Sequence, residues 1–110
     1  MMKTKSTIVY KKWDIVLVDF PFSANSSPQK RPALIVSPEK YNAGKNVIIL
    51  QISSKKDLSG EDYQIKDWES ANLLLPSFIK MKFATVKNDI IRKKIGRLSQ
   101  EDISIFENYL

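Results

Sequence analysis

The chain contains no cysteine and no histidine among its 110 residues. Without cysteine there is neither a disulfide framework nor a thiolate nucleophile, a composition that suits a reducing compartment. Without histidine the commonest acid/base side chain and metal ligand is missing, so no zinc site is expected and any catalysis must lean on electrostatics. No apolar run approaches the roughly 20 residues that a membrane span requires. The N-terminal stretch MMKTKSTIVYKKW carries charges but no continuous apolar segment. The expectation is a soluble, unexported, cytoplasmic protein with no membrane partner.

What is present is a 43% apolar composition, enough for a single core. One domain over residues 1–110 is expected, with 1–12 as a flexible N-terminal lead. Lysine and arginine number 18 against 12 acids, a formal charge of +6 that favours a polyanionic partner. The charge is unevenly spread. Between Lys80 and Arg97 stand seven basic residues and one acid, Asp89, whereas the last twelve residues carry only acids.

Three short runs rich in β-branched residues predict strands: Asp14 to Phe20, Ala33 to Val36 and Val47 to Ile52. Their nearly continuous hydrophobicity implies burial on both faces. In FIKMKFA the alternation places Ile79, Met81 and Phe83 on a core face and Lys80 and Lys82 toward water. A C-terminal helix is expected, with Ser99 as its cap and Asp102 as the capping-box acid, and Ile103, Phe106 and Leu110 docked on the sheet. A shorter helix is expected over Asp67 to Leu74, stopped before Pro76. Ser23 to Gln29 and Ser53 to Asp62 read as polar loops. The sum is a mainly β fold, a small barrel with a C-terminal helix.

The motifs WDIVLVDFPFS, KRPALIVS, VIILQISS and GRLSQED stand in that order from Trp13 to the end of the chain. In them the sequence resembles the MazF and PemK family of bacterial toxins. The resemblance implies an SH3-like β-barrel, a homodimer, neutralisation by a cognate antitoxin, and metal-independent endoribonuclease activity on single-stranded RNA with no cofactor. It also implies a catalytic pair, the arginine of the Arg-Pro motif and the hydroxyl residue closing the third strand, here Arg31 and Ser53. Two places depart from the family pattern: Trp13-Asp14 stands where members carry Gly-Asp, and Lys80 and Lys82 stand where many carry acids or amides.

Those two residues suit the implied chemistry. Pro32 disfavours the α region for Arg31 and holds its backbone extended, so a permanently charged planar fork is offered to phosphate oxygens. A serine hydroxyl is a poor general base near neutral pH, which leaves Ser53 to position or to relay a proton. The bland alternatives are a strand-end ion pair of Arg31 with Asp14 or Asp19, and a local turn hydrogen bond at Ser53. Further candidate RNA contacts are Lys30, Phe22, Ser54, Lys55, Lys80 and Lys82. Trp13, Phe20 and Tyr41 are expected in the core, and only Phe22 is placed as an exposed ring. Asp19, within a buried strand, has no assigned role. A non-catalytic protein of the same fold that binds RNA, an acidic antitoxin or DNA gyrase is the alternative function.

Overall fold

The computed structural model describes residues 8–20, 29–56 and 61–110. Six strands form one antiparallel sheet: β1 (Asp14–Phe20), β2 (Gln29–Ile35), β3 (Asn46–Ser53), β4 (Tyr63–Gln64), β5 (Phe78–Lys87) and β6 (Ile91–Arg97), in the order β4-β5-β3-β2-β1-β6. A four-residue helix α1 (Glu39–Asn42) joins β2 to β3, and α2 (Gln100–Phe106) follows β6. Among the described residues no helix is long and apolar enough to cross a membrane.

β1, β3 and the second half of β2 are almost continuously apolar because the sheet buries both faces there. Ile15, Leu34, Leu50 and Ile52 belong to one cluster, and Val16, Val18, Ala33, Ile35, Val47 and Ile49 to the other. Helix α2 covers the first cluster through Ile103 and Phe106. The Phe106 ring meets Trp13 edge-on at 6.1 Å and Tyr63 at 5.2 Å. Residues leading into β1 are also tied down: Tyr10 packs on the second cluster and its carbonyl accepts from the Asn42 amide at 2.8 Å.

Several positions differ from the sequence reading. Leu110 is 52% exposed, because α2 ends at Phe106 and tightens into a 3-10 turn over Glu107–Tyr109 that carries Leu110 off the apolar stripe. Tyr109 instead stacks on Phe106 at 5.6 Å. Phe83 is 58% exposed rather than core. Leu50 pairs with Phe83 but Ile52 with Ile79, so β5 holds two extra residues against β3; this even insertion keeps Phe83 and Ile79 on one face but distorts the strand between them. Tyr41 is also outside the core, since α1 turns Asn42 inward to Ser37 instead.

The helix expected over Asp67 to Leu74 is a series of turns. Asn72 takes a left-handed φ of 63°, which ends any helical run, and the Leu73 N–H reaches back to the Trp68 carbonyl. The start of the segment is held elsewhere, because the Lys66 and Asp67 N–H groups donate to the Asp102 carboxylate at 2.9 Å each. Ser99 caps α2 as expected, accepting from the Asp102 N–H at 3.1 Å. Its capping-box partner does more than cap. Asp102 is fully buried and also accepts from the Tyr63 hydroxyl at 2.6 Å and the Ser99 hydroxyl at 2.9 Å.

Candidate functional site

Strand β2 delivers Lys30, Arg31 and Pro32 to the rim of a groove of about 510 Å³. The facing side comes from the end of β3, whose pairing with β2 runs as far as Ala33 and Gln51, two residues short of Arg31 and Ser53. Ser53, Ser54 and Lys55 line the same groove. Arg31 and Ser53 are each half-buried, while Lys30, Ser54 and Lys55 are exposed. Five residues selected from separate motifs thus share one concavity. Beside Arg31, Val18 is fully buried at the paired position of β1, so Arg31 rises from a packed part of the sheet.

The other wall was not legible in advance. It consists of Asn72, Leu73, Leu74 and Leu75 from the turn segment, with Ile95 of β6 beside them. Leu74 is 93% exposed and Leu75 57% exposed, so two large apolar side chains stand in solvent across from a cationic rim. The signal in the sequence was the run NLLLP, whose three consecutive leucines cannot all face one core. Ile95 reaches the groove because β6 carries an irregularity there: Ile15 pairs with Gly96 and Val16 with Lys94.

Gly96 allows this wall to sit against β6. A Cβ at that position would lie 2.1 Å from the Ala71 carbonyl oxygen, a backbone atom that cannot swing aside. The Asn72 amide donates to the Ile95 carbonyl at 2.9 Å beside it. Gly96→Ala is therefore expected to destabilise the protein by about 2 kcal/mol or more, read as a lower midpoint in thermal unfolding.

The two acids of β1 are paired with cations of β6. Asp19, which lacked a role, is bound by Arg92. Asp14 is bound by Lys94 at 3.2 Å and Arg97 at 3.3 Å. Lys93 stands opposite Leu17, itself a groove residue. Lys80 and Lys82 are not among the lining residues. Lys82 is exposed on β5, whereas Lys80 is largely buried in an ion pair with Asp62, a correction to its expected place on a water-facing surface. Phe22 lies outside the described residues.

Chemically, the groove presents a guanidinium fork beside a hydroxyl, with lysines on one rim and aliphatic side chains on the other. The fork and hydroxyl match the oxygens of a phosphodiester, and the apolar wall matches the face of a base.

The family model of the PemK-like, MazF-like toxins of type II toxin–antitoxin systems matches residues 11–110. None of the curated proteins matches the chain in sequence. Among solved structures, MazF from Deinococcus radiodurans superposes with a TM-score of 0.73 at 16% identity, covering 94% of each chain. Toxin MazF-mt6 of Mycobacterium tuberculosis gives 0.71 at 16% identity, covering 87% of this chain and 90% of that one. A mycobacterial endoribonuclease solved with its cognate antitoxin gives 0.73 at 11% identity, covering 94% and 90%.

Proposed function

We propose, since this chain belongs to the PemK-like, MazF-like toxins of type II toxin–antitoxin systems, that it is a metal-independent endoribonuclease cutting single-stranded RNA at selected sequences. The observation that carries this reading is the meeting of Arg31 and Ser53, from separate strands, in one cationic groove. In the proposed reaction the 2′-oxygen of the RNA attacks the adjacent phosphorus in line and expels the 5′-oxygen. The 2′-proton leaves to solvent and the 5′-oxygen takes one up, giving a cyclic phosphate and a 5′-hydroxyl. Arg31 neutralises charge growing on the phosphoryl oxygens, the task that commonly supplies the largest share of acceleration. Ser53 donates a hydrogen bond to the same group.

Lys30 and Lys55 hold neighbouring phosphates, and Leu74 and Leu75 cover a base released from stacking. Unpaired RNA suits such a groove because its sugars reach in-line geometry and its bases splay freely. The working place is the cytoplasm, where the transcripts are. The partners proposed are a second copy of the chain and an acidic antitoxin attracted to the +6 charge. A structural relative solved with its cognate antitoxin supports the latter.

The test is incubation of the purified protein with mixed-sequence RNA in EDTA. Discrete fragments are expected. Intact RNA with salt-sensitive binding would select the non-catalytic binder instead.

A further inference from the structure

We propose that Lys80, held in place by Asp62, is a positioning residue that orients the Ser53 hydroxyl toward the groove. This rests on the reading of the groove as the RNA-cleaving site. The Lys80 side chain is only 15% exposed and that of Asp62 5%, so this ion pair is largely shielded from water. The Lys80 ammonium makes two contacts with its own protein: the Asp62 carboxylate and the backbone carbonyl of Lys55. The N–H of that same Lys55 donates to Ser53 Oγ at 3.1 Å.

The connection is a short relay. An ammonium has three donors and no acceptor, so it can bind a carbonyl and a carboxylate together and fix their separation. Holding the Lys55 carbonyl restrains the backbone of a residue two places beyond Ser53 and, through its φ and ψ, narrows the directions open to the Lys55 N–H. A hydroxyl that accepts from that N–H has one oxygen lone pair engaged and keeps its own proton available to an acceptor in the groove that Ser53 and Lys55 both line. Ser53 is thereby set as a donor, the role a phosphoryl oxygen requires.

The β5 irregularity accounts for how Lys80 reaches this place. Lys80 follows Ile79, which pairs with Ile52, and the two extra residues before Phe83 re-aim the side chains between them. The paired ammonium is also neutralised locally, which separates Lys80 from the rim cations that meet phosphate.

The experiment is a cleavage cycle with Lys80→Met, Ser53→Ala and the double variant, with Lys80→Arg as the conservative replacement. Lys80→Met is expected to lower kcat by about ten- to a hundredfold with KM changed less than about twofold, and to add nothing once Ser53 is alanine. Lys80→Arg is expected to recover part of the loss. A raised KM, a shallower salt dependence and effects that multiply with Ser53→Ala would overturn the proposal and make Lys80 a phosphate contact. Should Lys80→Met fail to fold, Lys80→Met combined with Asp62→Asn also removes the buried negative charge and repeats the cycle. Hydrogen exchange at the Lys55 amide reads positioning without any reaction: roughly tenfold faster exchange is expected in the Lys80 variants, with α2 amides unchanged. Unchanged Lys55 exchange contradicts the positioning role. Faster exchange in a protein that leaves RNA intact upholds the positioning and removes only the nuclease reading.

Discussion

Arg31→Ala is expected to leave a folded protein that cleaves RNA at least about a hundredfold more slowly than the parent, the usual consequence of removing one preorganised donor from a developing anion. Stability should change by less than about 1 kcal/mol, because Arg31 is half-buried at the groove rim while the adjacent Val18, Ala33 and Leu34 stay packed. Arg31→Lys keeps the charge but loses the planar two-donor fork, so an intermediate rate is expected. Single-turnover cleavage beside thermal unfolding separates the possibilities. A variant that unfolds would show that the arginine serves the fold, and one that cleaves at the parent rate would remove it from the reaction.

Asp102→Ala should have the largest effect on stability. The carboxylate is fully buried and receives four donors, two of them backbone N–H groups of the segment that continues into the leucine wall. Removing it strands those donors, and a loss of about 3–5 kcal/mol is expected. In a chain of this size that is a drop of roughly 15 °C or more in the unfolding midpoint. Burial alone would push the Asp102 carboxyl up, yet the bonds from Tyr63, Lys66, Asp67 and Ser99 together outweigh it and hold the group below its ordinary 3.8. Tyr63 is driven the other way, first by burial and then by its bond to Asp102, and stays a protonated donor. Because the folded carboxyl titrates below the unfolded one, its stabilisation is complete above about pH 4 and is lost as pH falls through the folded value. Asp102→Asn should therefore flatten the acid limb of the stability profile. An unchanged limb would show that Asp102 is not the group titrating there.

The sheet was legible where burial on both faces wrote itself as uninterrupted aliphatic runs. β1 and β3 show this plainly, and the cap of α2 was readable from Ser99 and Asp102. β6 was not legible: IRKKIGR carries four cations, and its pairing to β1 is broken twice by register shifts that no periodicity records. Nor does alternation record that Phe83 is exposed or that Lys80 is shielded by Asp62. The segment 67–74 looks amphipathic, but its path is decided by Asp102, 35 residues beyond Asp67, and by the left-handed Asn72.

Trp13 explains one departure from the family pattern. It sits at φ 80°, a conformation that glycine adopts freely and that an L side chain takes at a strain of roughly 1–3 kcal/mol. Burial of the indole against Phe106 offsets that strain, since an apolar side chain of this size gains about 1.5–3 kcal/mol or more on burial. At the site, the cationic half was readable from Arg-Pro and the hydroxyl closing β3. The leucine half depends on turns formed only in the folded chain.

The most direct test is the chemistry of the termini left on RNA cut in the presence of EDTA. Attack by the neighbouring 2′-hydroxyl predicts cyclic phosphate on one fragment and 5′-hydroxyl on the other, both formed at least about a hundredfold more slowly with Arg31→Ala. Fragments bearing 5′-phosphate, or the same termini at the same rate from Arg31→Ala, would contradict it.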